Sequence, residues 1–273
     1  MSRTTEDVED FRRILAIGDI HGCSTALRAL IDAIDPGPDD LVVPLGDFID
    51  CGPDSRGVVQ QLIALSSQCR VISLLGNHEE MLLNALESRS EFRYWIKLGG
   101  KQTLGSYSTT RSDLEVIPAE HVAFIRGCRN YYETQTHIFV HANFDPELPM
   151  CRIDGGKLRW EHLDMSRLRP HCSGKTVVVG HTPQPDGAIQ DLGFLVGIDT
   201  DCCRGGWLTA FDVSTGQTIQ ADQSGRVRRF SHSAAYRPQP IWKTGSITQY
   251  EAIARPSVLP SLTILLKKQD FRG

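Results

Sequence analysis

Residues 14–22 read ILAIGDIHG, an apolar run that ends in Gly-Asp and passes into a helical pattern. Ser24 can cap that helix, Leu27, Leu30, Ile31 and Ile34 recur at the i, i+3, i+4, i+7 spacing of one buried face, and Pro36 ends it. The same order returns twice. An apolar run at 41–46 precedes a helical pattern carried by Val58, Val59, Leu62 and Ile63, and another at 71–75 precedes one at 79–86. Strands alternating with helices predict βαβ units, hence an α/β fold on a largely parallel sheet. The section from about 90 to 130 carries helical stretches at 92–98 and 119–125 around a Ser/Thr-rich loop, and reads as an inserted cap. From Tyr131 onward the pattern is mostly strands, at 138–141, 176–180, 188–191, 194–198, 207–213, 218–221 and 227–230. There is no internal repeat. After Ser231 the composition turns to scattered Pro, Ser and Thr, so the expectation is one domain over 1–230 and an extension over 231–273, packed on it or partly disordered. Leu262 to Leu266 can still add a strand or short helix.

A chain of 273 residues with 40% hydrophobic and 23% charged residues can bury a substantial core, which excludes extended disorder. No apolar run reaches the roughly 18 to 20 residues needed to cross a bilayer, so no membrane partner is expected. With 29 basic and 33 acidic residues the net charge is −4, and nothing in it would draw in nucleic acid. The short Arg226, Arg228, Arg229 cluster reads as a solvated strand edge. The acidic start MSRTTEDVEDFRR lacks the order of a secretory signal, so a cytoplasmic location is expected. Eight cysteines without a C-x-x-C pair argue against a zinc ribbon or a disulfide framework, and most are expected to be small buried thiols.

Three polar clusters directly follow predicted strands: GDIHG at 18–22, GDFIDCGPDS at 46–55 and GNHE at 76–79. Two later strands close on His141 and His181. In open α/β sheets ligands gather at the carboxyl ends of strands, so these distant residues are expected to converge. Each is a weak signal alone, since Gly-Asp is often a turn or helix cap and a strand-closing histidine is usually a core residue. Their joint order carries the weight. Asp19, His21, Asp47, Asn77, His141 and His181 offer six oxygen and nitrogen donors, the inventory of a two-metal site for Mn²⁺, Fe or Zn²⁺. Asp47 is the natural bridge, which would let the ions sit roughly 3.5 to 4 Å apart and share a hydroxide. Two anionic donors against two divalent cations leave about two positive charges, which favours binding phosphate and stabilises charge gathering on it.

These motifs, with GHT at 180–182 and IDTDCCRGGWLTAFDV at 198–213, resemble the signature set of the phosphoprotein phosphatase superfamily within the calcineurin-like metallophosphoesterases. They look closest to bacterial and phage members, which include serine/threonine protein phosphatases and symmetrical diadenosine tetraphosphatases. The likeness spans about residues 14–213. It implies a mixed α/β (α+β) fold with a central β-sandwich flanked by helices, a catalytic domain over 1–230, and two divalent metal ions, manganese first, with iron or zinc also fitting. By motif, Asp19 and His21 would bind the first metal, Asp47 would bridge, and Asn77, His141 and His181 would bind the second. His78 matches the general acid to the leaving oxygen and Asp50 its orienting carboxylate, as an imidazole needs if it is to stay protonated and aligned.

The chain departs from the pattern at two places. The family's GDxxDRG motif carries an arginine that clamps phosphate where this chain has Cys51, and its W-x-R motif carries another where this chain has His162. Neither replacement can make the two parallel bonds of a guanidinium, and the loss should cost about 2–4 kcal/mol of transition-state stabilisation. Arg56, Arg159 and Arg204 lie near the motifs as candidate substrate-binding substitutes, each otherwise a surface residue. Cys51 reads as a neutral filler, or as a thiol activated by the metals. Cys202 and Cys203 border the same site, where strain disfavours a bond between neighbours. The first functional reading is a metal-dependent phosphoesterase, a serine/threonine protein phosphatase working through a bridging hydroxide on a phosphorylated protein or small phosphate ester. The alternatives are a symmetrical diadenosine tetraphosphatase-like hydrolase of nucleoside polyphosphates and a non-catalytic metal- and phosphate-binding module.

Overall fold

The computed structural model describes residues 11–108 and 113–231. The tip of the Ser/Thr-rich loop, the extension after Ser231 and the element expected at 262–266 lie outside the described residues. Two sheets form the centre. The first joins β1 (Arg13–Ile17), β2 (Asp40–Pro44), β3 (Arg70–Val71), β9 (Leu208–Asp212), β10 (Gln217–Ala221) and β11 (Val227–Ser231) in the order β11-β10-β9-β1-β2-β3. The second joins β4 (Tyr131–Glu133), β5 (His137–Val140), β6 (Thr176–Val179), β7 (Gln190–Asp191) and β8 (Leu195–Gly197) in the order β4-β5-β6-β8-β7.

Only β1-β2-β3 and β5-β6-β8 run parallel; every other neighbouring pair is antiparallel. The largely parallel sheet expected from the first hundred residues is therefore half of the answer. The four-residue link from β9 to β10 and the five-residue link from β10 to β11 are too short for a crossover and force hairpins. Expected strands are also shorter: the run at 71–75 keeps only Val71 in β3, although Ile72 and Leu74 still donate to the Val42 and Pro44 carbonyls and Leu74 bridges Arg129, and 188–191 narrows to Gln190–Asp191.

Strand alternation builds the layers. Ala16, Phe139, Val178 and Phe211 point into the space between the sheets, where they meet Leu41, Val43, Leu45 and Val196. Their neighbours Leu15, Ile17 and Val42 face α1 (Ser24–Ile34) and α2 (Ser55–Leu65) on one side, while Ile138, Val140, Val177 and Val179 face Phe144, Met150 and Leu158 on the other. α1 buries Ala26, Leu27, Leu30 and Ile34, the stripe expected, but Cys23 rather than Ser24 holds the N-cap position. The turn that brings Cys23 N–H to the Ile20 carbonyl already starts the helix there.

The section expected to be a cap is instead part of the core. α3 (Asn77–Glu87) is followed by α4 (Arg89–Trp95), a π turn (Ile96–Gly100), α5 (Lys101–Tyr107) and α6 (Ala119–Arg126). Trp95, Leu104 and Ile125 are buried with the residues of α1 and α2. Cys23, Cys69 and Cys202 are buried, Cys128 and Cys203 half-buried, and Cys51, Cys151 and Cys172 exposed. Only three of the eight are buried, so the expectation that most would be fails; the three exposed ones lie in loops or a short turn with no core face to fill. No helix among the described residues is long and apolar enough to cross a membrane.

Candidate metal centre

The loops after β1 and β2 are laced together before any side chain is considered. Ile20 and His21 donate their backbone N–H to the Asp47 carbonyl at 3.0 and 2.8 Å, and Gly22 donates to Phe48 at 2.8 Å. A buried carboxylate finishes the frame: Glu79, in the first turn of α3, accepts from the N–H groups of Asp47, Phe48, Ile49 and Gly76 at 2.7–3.2 Å. Burial and the charge of Asp47 push Glu79 up to about 7. In sequence Glu79 closes the GNHE cluster and opens a helical pattern, with no role of its own.

On this frame six donors expected from sequence meet. Asp19, His21 and Asp47 place ligand atoms within 4.8 Å of one another, and so do Asp47, His141 and His181. Asp47 belongs to both groups. Asn77 completes the second, its side-chain oxygen 3.0 Å from His141 Nε2.

Three imidazoles are held in one tautomer by the backbone. His21 Nδ1 lies 3.0 Å from the Ile49 carbonyl, His141 Nδ1 2.9 Å from that of Leu45, and His181 Nε2 3.2 Å from that of Trp160. A carbonyl can only accept, so these nitrogens carry protons, and whenever the ring is neutral the opposite nitrogen presents a lone pair. Those lone pairs face further acceptors: His21 Nε2 is 3.5 Å from Asp47 Oδ2, and His141 Nε2 is 3.4 Å from Asp47 Oδ1. The Asn77 amide oxygen points into the same space, 3.1 Å from His181 Nδ1. Rotating that amide would supply two N–H groups, both on the side of His141, His181 and Asp47, which leaves the Asp19 side unmet; divalent cations would meet every lone pair at once. The donor set therefore fits two metal ions sharing Asp47.

Charge tells the same story. Burial raises the Asp19 carboxyl well above its usual range, and the nearby charges of Asp199 and Asp47 add to it. Asp199, which the sequence reading passed over, is pushed up to about 6 by its own burial. Burial also opposes charge on Asp47, yet His141, His78, His21 and His181 together hold it well below the usual range. For His21, burial works against the proton but Asp47 and Asp19 outweigh it, raising the ring to about 10. Burial lowers both His141 and His181, the latter to about 4, as befits neutral imidazole ligands.

His78 stands beside this cluster, its Nδ1 2.7 Å from Asp50 Oδ2 and its Nε2 4.0 Å from Asp47 Oδ2. Burial lowers the ring, but Asp47 and the bond to Asp50 raise it above its ordinary value. Asp50 is fully buried and held from the core section: Trp95 Nε1–H donates to Oδ2 at 2.9 Å and the Thr103 hydroxyl to Oδ1 at 2.5 Å. Neither residue was foreseen. Their signal was the Gly99-Gly100 pair inside a helical pattern, which marks a kink.

The three candidate arginines are not drawn in alike. Arg159 is bound to Glu80 at 2.5 Å and to Asn130 at 2.8 Å, and Trp160 shares Glu80. Arg56 is exposed at the start of α2, turned toward Tyr107 and His121. Arg204 reaches Asp201 at 3.4 Å, stays largely exposed, and is in electrostatic range of Cys51 and Cys203. His162 lies flat on His181, with ring centroids 4.4 Å apart. Cys51 accepts a hydrogen bond from Cys203, which lowers its thiol and raises that of Cys203.

Two sheets with metal-binding loops at the carboxyl ends of their parallel strands define a metal-dependent phosphoester hydrolase, and the chain belongs to the calcineurin-like phosphoesterase family, which matches residues 12–206. It is similar to serine/threonine-protein phosphatase 1 of Salmonella typhimurium, 29% identical over 74% of this chain and 93% of that protein. It is also similar to a symmetrical bis(5'-nucleosyl)-tetraphosphatase of Burkholderia pseudomallei, 38% identical over 25% of this chain and 24% of that protein. Among solved structures, one provisionally assigned as a diadenosine tetraphosphatase superposes with a TM-score of 0.58 at 22% identity, covering 84% of this chain and 96% of that one, a likeness of fold.

Proposed function

We propose that the protein removes phosphate from phosphoserine or phosphothreonine in proteins, using two divalent metal ions, manganese first among them. The observation that carries this reading is that Asp47 belongs to two donor groups at once while His78, bonded to Asp50, hangs over its edge. When bound, such ions supply Lewis acidity toward phosphate and a water acidic enough to attack near neutral pH. The chain does the rest. Asp19 and His21 would hold the first ion, Asn77, His141 and His181 the second, and Asp47 is the carboxylate common to both groups. Asp50 orders the His78 ring so that Nδ1–H faces the carboxylate and Nε2–H faces the leaving oxygen, to which it gives its proton. Arg204, exposed and unburdened by a buried partner, is the arginine best able to swing onto the phosphate; Arg159 would first have to leave Glu80 and Asn130. Eight free thiols suit a reducing, cytoplasmic compartment.

Similarity along most of the Salmonella phosphatase supports the protein substrate. The missing arginines and the shorter match to a nucleotide hydrolase favour a second reading, cleavage of a dinucleoside polyphosphate. Chromatography separates the two, since symmetrical cleavage of diadenosine tetraphosphate yields ADP alone. For the chemistry itself, His78→Asn should slow hydrolysis of p-nitrophenyl phosphate by about 10²- to 10⁴-fold while bound metal per chain stays the same. Unchanged turnover would overturn the assignment.

A further inference from the structure

Four of the eight thiols lie in two pairs beside the metal centre. Cys51 and Cys203 line one pocket of about 500 Å³ with Gly52, Pro53, Gln102 and Gln223. Cys23 and Cys202 make the other pair, but both are buried. The outer pair is open to solvent through the pocket, with Cys51 exposed and Cys203 half-buried. Its sulfur also stands near the chemistry: Cys51 Sγ is within 4.8 Å of ring nitrogens of His21 and His78.

We propose that Cys51 and Cys203 form a reversible disulfide, made by a hydroperoxide, that slows the enzyme. The Cys51 sulfur attacks one peroxide oxygen, the O–O bond breaks, and water or an alcohol leaves as the thiol becomes a sulfenic acid. Cys203 then attacks the Cys51 sulfur; an S–S bond forms, the S–O bond breaks, and the hydroxyl departs as water with the Cys203 proton. The hydroperoxide gains two electrons and the two thiols lose them.

Position makes the bond consequential. Cys51 directly follows Asp50, and both residues hold left-handed backbone, with φ of 64° and 70°. Cys203 belongs to a short turn (Cys202–Arg204) on the other side of the pocket. Drawing the two sulfurs together to covalent distance shifts the Cys51 backbone and with it Asp50, whose carboxylate aligns His78. Cys202 does not substitute, because it is bonded inward to Cys23 and a ring between neighbours is strained.

This inference rests on the proposed role of His78 only for its effect on rate; the bond itself is read separately. The Mn²⁺-loaded full chain is exposed to cumene hydroperoxide, blocked with a thiol reagent, digested and weighed. The expected result is a linked 51–203 peptide pair with a mass deficit of about 2 Da. Turnover of p-nitrophenyl phosphate should fall about tenfold or more and return with dithiothreitol. Cys203→Ser should form no such link and should keep its rate in peroxide, which separates thiol chemistry from oxidation of the metals. Oxidation confined to the exposed Cys151 and Cys172, or an equal loss of rate in Cys203→Ser, would overturn the proposal. If the reduced protein hydrolyses nothing but the linked pair still forms, the functional reading fails and the thiol site stands.

Discussion

At single residues the centre is marked by backbone that side chains seldom adopt. Among the described residues, seven other than glycine have positive φ, and all but Asp35 belong to the site loops: His21, Asp47, Asp50, Cys51, His181 and Asp201. Each costs on the order of 1 kcal/mol, held by the lacing of Asp47, Gly22 and Glu79 described above. Because Cys51 already sits in that conformation, exchanging its side chain need not disturb the loop. Cys51→Arg should therefore bring a guanidinium to the edge of the metal cluster and raise kcat/KM for a phosphate monoester by about ten- to a hundredfold. An unchanged value would assign the phosphate contact to Arg204. The neighbouring Asp50 offers a second test. Trp95→Phe removes the indole N–H from Asp50 Oδ2, so that oxygen no longer divides itself between two donors and its bond to His78 Nδ1–H strengthens. His78 rises further, so the alkaline limb of the pH–rate profile, where the proposed acid loses its proton, should move to higher pH while kcat falls about three- to tenfold.

Between elements the decisive contact is that of the π turn with the loop after β2. Gly99 has φ of 132°, and a Cβ there would lie 2.6 Å from Asp50 Cβ and 3.2 Å from Cys51 N, atoms with no freedom to retreat. Gly99→Ala should destabilise the protein by about 1–3 kcal/mol and lower kcat as well, since Asp50 is what it displaces; denaturant melts and rates on one preparation check both. This contact also shows what was legible in the sequence. The six proposed ligands and His78 could be read because each sits in a short motif at the end of an apolar run, so local pattern and tertiary position coincide. Trp95 and Thr103 could not, being 45 and 53 residues from the carboxylate they hold, in helices whose apolar positions look the same whether they cover a site or enter a core. The reversal of strand direction after β9 was hidden for a related reason. Alternation identifies a strand and its buried face but carries no direction; only the short links after β9 and β10 do.

For the molecule as a whole, the centre is a concentration of buried negative charge whose cost depends on cation and pH together. Asp199 is raised to about 6 and Glu79 to about 7, so the folded chain binds more protons there than the unfolded chain does. By linkage, their contribution to stability is complete below the ordinary carboxylate range near 4 and is lost as pH rises through 6 and 7. Divalent cations held by the proposed set of Asp19, Asp47 and the imidazoles would offset that charge, and would bind more tightly once the imidazoles are unprotonated. Both effects have the same sign. Metal-stripped protein should melt lower at pH 8 than its metal-loaded form by about 5–10 °C when Mn²⁺ is supplied at about a hundred times its dissociation constant, and by clearly less at pH 5.5. The check is a set of thermal melts at both pH values with and without Mn²⁺, using Asp47→Asn as the reference. That variant lacks the carboxylate common to both donor groups and should show little stabilisation at either pH. A shift that is equal at the two pH values, or that survives intact in Asp47→Asn, would move the cation to some other part of the surface.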